Sequence, residues 1–216
     1  MSGYISFLPL DPLQRAVRVD LADRSQMHRT VMSGFGQVPG DAARATLGVL
    51  YRLEEGEHPF LLVRSSPEPD YHLPAGYLAG AVETRPVDLS GIATGDRLAF
   101  RLVANPVRSV SRTDGEGGFL KNGRRLPLRT PEARIDWLVT RMSAAAELIG
   151  TDAVEPPGAR SRAHLRNGSW LYCDAVRFDG ELLVRDPDEL RRLEREGIGK
   201  GRAYGMGLLS LRRLPN

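Results

Sequence analysis

Apolar and polar positions fall into blocks of period two or period 3.6, and those blocks predict an order of elements. Ile5 to Leu10 is a short apolar run stopped by Asp11-Pro12, the pattern of a strand followed by a turn. Asp23 then reads as an N-cap with Gln26 three residues on. Met27, Val31, Met32 and Phe35 supply an apolar helical stripe as far as Gly36. Thr46 to Leu53 and Phe60 to Arg64 read as strands joined by the acidic turn Glu54 to Pro59. The Pro- and Gly-rich passage from Ser65 to Gly95 carries no helical pattern, and Arg97 to Val103 alternates as a strand should. The first half is β-α-β-β-x-β, with its second helix missing.

The pattern then repeats. After Asn105-Pro106 comes a turn at Gly115 to Gly118 and the stretch Phe119 to Leu128. Thr130-Pro131-Glu132 opens a helix whose buried face is expected to use Ile135, Leu138, Val139, Met142, Ala146 and Ile149. Thr151 to Pro157 is expected as loop or frayed strand. Ser169 to Phe178 and Glu181 to Arg185 are expected as strands turning at Asp179-Gly180. Asp186 caps a further helix with Pro187 in its first turn and Glu189 closing a capping box, and the run Leu208 to Leu211 is a last strand. Two β-α-β-β-α-β units predict an α+β fold of two tandem ferredoxin-like domains, residues 1–108 and 109–216, the arrangement that RNA-recognition folds also use.

Composition narrows the function. The chain has 216 residues, 41% hydrophobic and 26% charged, ordinary for a soluble globular protein. No apolar run approaches the roughly 20 residues of a membrane span, and the start lacks a signal-peptide pattern, so a cytoplasmic protein without membrane contact is expected. Cys173 has no second cysteine to pair with. His28, His58, His72 and His164 lack metal-ligand spacing, so neither metal nor cofactor is expected. The net charge is only +3, yet its distribution is uneven. Arg160, Arg162, His164 and Arg166 alternate and share one side if extended, while Lys121, Arg124, Arg125 and Arg129 form a second basic cluster. Such a one-sided basic surface suits a phosphate backbone.

Two features could carry chemistry. Gly197 to Gly207 holds five glycines with Lys200 and Arg202, so its amides can cradle phosphate oxygens; the alternative is a flexible connector. A dinucleotide fingerprint is excluded because the helix precedes this loop, and a Walker A loop because Gly201, not Ser or Thr, follows Lys200. His28 stands at the border of the helix's buried and solvent faces, with Ser25 a turn before it and Arg29 beside it. Histidine exchanges protons near neutral pH, although partly buried packing is the commoner role of one so placed.

These residues carry a resemblance. Asp11-Pro12, the run Arg18 to Asp23 and Met27-His28-Arg29-Thr30 resemble the N-terminus of the CasE family, the CRISPR RNA endoribonuclease of the type I-E Cascade complex. The likeness continues through Phe100 to Pro106, Gly123 to Leu128, Trp137-Leu138 and Gly197 to Gly205, covering nearly the whole chain in order. The resemblance implies two ferredoxin-like domains, the stem-loop of CRISPR repeat RNA as substrate, other Cascade subunits as partners, metal-independent cleavage and His28 as the catalytic residue. Family members can carry a tyrosine three residues before the histidine, where this chain has Ser25, a weaker second partner for proton transfer. The implied reaction is attack by the RNA's 2′-hydroxyl, leaving a 2′,3′-cyclic phosphate and a 5′-hydroxyl. Arg29, Lys200 and Arg202 are the candidates to stabilise charge on the phosphorane, with Gly199 and Gly201 beside them against the RNA. Two rival readings are a non-catalytic subunit that holds an RNA hairpin and a ferredoxin-like interaction protein with no RNA role.

Overall fold

The computed structural model describes residues 3–36, 43–113, 119–165 and 167–214, with the backbone alone for 111–113 and 119–124. The fold is mixed α/β, with antiparallel sheets. A first four-stranded sheet has the order β2-β3-β1-β4, from β1 (Gly3–Pro9), β2 (Leu50–Glu54), β3 (Phe60–Ser65) and β4 (Glu83–Val87). Helices α1 (Arg15–Ala22) and α2 (Arg24–Ser33) and the short α3 (Ala43–Thr46) connect β1 to β2. Their apolar stripe meets the sheet in a core of Leu8, Val17, Met27, Val31, Tyr51 and Val63. Helix α1 was not foreseen, and Thr46 ends α3 rather than starting a strand.

A second four-stranded sheet has the order β12-β5-β11-β8, from β5 (Arg97–Ala104), β8 (Ala146–Val154), β11 (Val176–Val184) and β12 (Leu209–Arg213). Helices α4 (Pro131–Met142) and α5 (Pro187–Glu196) supply Leu138, Met142, Leu190 and Leu193 to a core built on Phe100, Leu102, Phe178 and Leu182. Two ribbons stand outside the sheets, β6 (Val107–Thr113) with β7 (Phe119–Pro127), and β9 (Arg160–His164) with β10 (Trp170–Asp174).

The expected N-cap residues are in place, but the capping box is not: Asp186 N donates to Ala145 O and the Glu189 carboxylate accepts from Arg192. Asp23 accepts from Ser25 N at 2.9 Å, Thr130 from Ala133 N at 3.2 Å, and Asp186 from Asp188 N and Glu189 N at 2.9 and 3.1 Å.

Three expectations are corrected. Arg97 to Val103, expected to close the first half, pairs with β11 and β12 and so belongs to the second sheet. Ala146 and Ile149 lie in β8, because Ala145 O accepts from Arg185 N and Asp186 N and draws the chain into strand pairing just after α4. Asp179-Gly180 is not a turn: β11 runs straight through it. The irregularity is in β8, where Gly150 adopts φ 55° and bulges towards β11. A Cβ at Gly180 would lie 3.0 Å from Gly150 O, a tight contact that favours glycine where the two backbones approach closely.

Strand β2 joins the two halves. Tyr51 faces the first core, while Arg52 donates to Ser210 at 2.8 Å and Glu54 faces Arg101 at 3.5 Å. Next to it, Arg64 of β3 pairs with Glu194 of α5 at 3.2 Å, both side chains buried.

Candidate active site

Helix α2 is the centre of the site, and Asp23 fixes its start. His28, one turn in, is half-buried, and its Nδ1 is buried without a hydrogen-bond partner. Burial, then the charges of Arg44 and Arg29, hold its pKa below the ordinary histidine value. The imidazole is therefore neutral at neutral pH and able to accept a proton. Ser25 shares the turn, but among the described residues its hydroxyl makes no hydrogen bond to the ring. Arg29 beside it is exposed.

The glycine-rich loop packs against this helix. Gly197, Gly199, Gly201, Gly205 and Gly207 all adopt positive φ, from 78° to 93°, a region costly to residues with a Cβ. The side a Cβ would take is filled by the protein itself: Trp137 at Gly199, Met206 at Gly201 and Tyr51 at Gly205. Ile198 N and Gly207 N donate to Gly207 O and Val103 O, so part of the expected amide cradle is spent on internal bonds. The loop is a shaped piece, not a slack connector. The buried Tyr51 hydroxyl donates to Ala203 O at 3.2 Å and lies 3.4 Å from Arg24 O, tying loop to helix. Lys200 is exposed, paired through its backbone with Asn105. Arg202 is half-buried with Nε unpartnered, and its charge lowers the pKa of Arg44 after the effect of burial. Arg29 and Arg44 thus both act on the imidazole, and Arg202 stands behind them near Arg44, a setting that favours a bound anion.

The basic ribbon begins at the same helix end. Asp23 Oδ1, which caps Ser25, also accepts from His164 N at 3.1 Å. Along β9 the residues alternate as expected: Arg160, Arg162 and His164 are exposed while Ala163 is buried. Opposite them on β10 stand Trp170 against His164, Tyr172 against Arg162 and Asp174 against Arg160. Arg162 lies over the Trp170 ring, 4.5 Å from its centroid, and the His164 and Trp170 rings are 4.9 Å apart. Arg166 lies outside the described residues. Of the second basic cluster, Arg125 is exposed on β7 and the side chains of Lys121 and Arg124 lie outside the description, while Arg129 follows the strand and pairs with Asp174 of β10 at 3.6 Å.

A family model described as CRISPR associated protein matches residues 3–213. CRISPR-associated endoribonuclease Cse3 of Thermus thermophilus is 31% identical, over 96% of this chain and 99% of its own. The chain belongs to the CasE family. Its relative in Escherichia coli K12, the CRISPR system Cascade subunit CasE, is 29% identical over 88% of this chain and 92% of its own. The solved structure of Thermus thermophilus Cse3 bound to an RNA representing a pre-cleavage complex superimposes with a TM-score of 0.78 at 30% identity, covering 98% of this chain and 99% of that one. Within this CasE-family chain, sequence reasoning missed Arg44, Tyr51 and Arg24. Arg44 reaches His28 only through the fold, and Tyr51 reads as an ordinary strand residue. Among the described residues no helix is long and apolar enough to cross a membrane, and no three His, Cys, Asp or Glu side chains group as metal ligands do.

Proposed function

We propose that this chain is the endoribonuclease that binds the stem-loop of the CRISPR repeat, cleaves the precursor RNA and stays with the product as a Cascade subunit in the cytoplasm. The observation that carries this reading is His28, half-buried on α2 with its pKa held down by burial and by the charges of Arg44 and Arg29. The relatives named above, an endoribonuclease and a Cascade subunit, agree with it. Both sheets have strand order 4-1-3-2 in their own numbering, which supports two ferredoxin-like units, residues 3–87 and 97–213, with β6–β7 and β9–β10 inserted in the second.

In the proposed reaction His28 accepts the proton of a 2′-hydroxyl as its oxygen attacks the adjacent phosphorus. The P–O5′ bond breaks and the 5′-oxygen takes up a proton, leaving a 2′,3′-cyclic phosphate and a 5′-hydroxyl. Arg29, Arg44, Lys200 and Arg202 offset the charge growing on the non-bridging oxygens. Lys121, Arg124, Arg125, Arg160, Arg162, His164 and Arg166 hold the RNA, with Gly199 and Gly201 shaping the loop beside it.

Because the RNA supplies its own nucleophile, purified protein is expected to cleave repeat RNA in EDTA. His28→Ala is expected to slow single-turnover cleavage about 10²- to 10⁴-fold while hairpin affinity stays within a few-fold. Unchanged cleavage would remove His28 from the mechanism. Ser25 favours a second reading, a subunit that holds the hairpin without cutting it. Binding without cleavage selects that reading, and a gain of rate in Ser25→Tyr would show what the serine lacks.

A further inference from the structure

Behind the basic ribbon lies a cleft of about 650 Å³ that the reaction above leaves unused. Pockets for small ligands run from roughly 300 to 1,000 Å³. Its walls are the end of α1 and the ribbon, with Tyr172, Arg160 and Arg162 on the ribbon side and Arg24 and Glu55 on the other. Tyr172 is 73% exposed, a large aromatic ring left in solvent opposite Arg162, with Arg160 lining the same cleft. Arg24 is buried and pairs with Glu55, yet its Nη1 has no hydrogen-bond partner. Gly158 adopts φ 65°, a backbone conformation costly to a residue with a Cβ, and stands against the Glu55 carboxylate.

These parts have one joint use. A flat exposed ring in a cleft lined by cations is a stacking surface for a nucleobase, and the Arg24–Glu55 pair offers a donor and an acceptor to a base edge. Arg24 precedes His28 by four residues, so the two lie on one helix face about 6 Å apart along the axis. A nucleotide seated over Arg24 is then a near neighbour of the phosphate at His28. We propose that this cleft takes one unpaired base of the RNA, stacked on Tyr172, and so sets which phosphate reaches His28. Arg160 and Arg162 hold the phosphates on either side of that base. The inference rests on the RNA reading above, and names where an unpaired nucleotide is seated.

The test couples protein and RNA changes. Tyr172→Ala and Tyr172→Phe are measured for affinity and single-turnover cleavage on a set of repeat hairpins, each with one abasic site in its unpaired residues. Tyr172→Ala is expected to weaken binding about 5- to 150-fold, the range for loss of one stacked base, whereas Tyr172→Phe keeps affinity. One abasic position should weaken the wild type by a similar factor and leave Tyr172→Ala no weaker still. That variant should also cleave at more than one phosphate. Because the side chain is exposed, both variants are expected to melt as the wild type does. If the wild type binds and cleaves but no abasic position couples to Tyr172, the cleft is not a base site and the endoribonuclease reading stands. If Tyr172→Ala keeps RNA handling and loses only association with a protein subunit, the cleft belongs to that partner and the inference is overturned. Failure of the wild type to bind any repeat hairpin overturns both.

Discussion

At the scale of single residues the decisive balance is between burial and charge at His28. Burial, Arg44 and Arg29 all act against the imidazolium, so the folded protein is less willing than the unfolded chain to protonate this ring. The sign follows: this group lowers stability as pH falls below the ordinary histidine value, and the acid limb of kcat/KM for cleavage should lie below that value. Arg44→Gln removes one of the opposing charges and is expected to move that limb upward, towards the ordinary value. An unmoved limb in a cleaving variant would show that Arg44 acts elsewhere. The place of His28 on a helix was legible in the sequence because a local cap at Asp23 announces that helix, while its proton-transfer role came from the resemblance to the CasE family. The place of Arg44 was not legible, since only the return of the chain to β2 brings α3 beside α2.

At the scale of elements, the glycine loop and the basic ribbon make different contributions. Each loop glycine sits where a Cβ costs roughly 1 kcal/mol from backbone strain alone. At Gly201 a Cβ would meet the flexible end of Met206, whereas at Gly207 it would meet the backbone carbonyl of Ile198 at 2.9 Å. Gly207→Ala is therefore expected to lower the melting temperature more than Gly201→Ala, and both to lower it. A rise in either would restore the connector reading. The ribbon should act through salt. Arg160→Ala with Arg162→Ala is expected to weaken RNA binding and to flatten the plot of log affinity against log salt by about 0.7 to 0.9 per lost phosphate contact. An unchanged slope would leave these side chains a solvated face. Helices α4 and α5 were legible from Thr130-Pro131 and Asp186-Pro187, which act within one turn. Asp179-Gly180 misled because glycine serves two ends, turning a chain and admitting a neighbouring backbone, and only the partner strand distinguishes them.

At the scale of the whole molecule, the buried Arg64–Glu194 pair ties the first sheet to helix α5, which packs on the core of the second. Burial raises the Glu194 carboxyl's pKa more than Arg64 lowers it, so desolvation dominates the pair. Arg64→Met alone is expected to cost about 3–5 kcal/mol in urea unfolding, and Arg64→Met with Glu194→Leu clearly less. A double variant no more stable than the single one would contradict this. Which sheet a strand joins was the least legible feature. Arg97 to Val103 alternates equally well for either, and its partners, Val176 to Leu183 and Leu209 to Arg213, stand more than seventy residues away. Leu128 N donates to Pro106 O at 3.0 Å, so the chain is already closed on itself before the β6–β7 ribbon begins and after it ends. The ribbon is thus a graft on a finished stem. Its length can change without re-laying either sheet, because the residues it adds close no loop that the cores depend on.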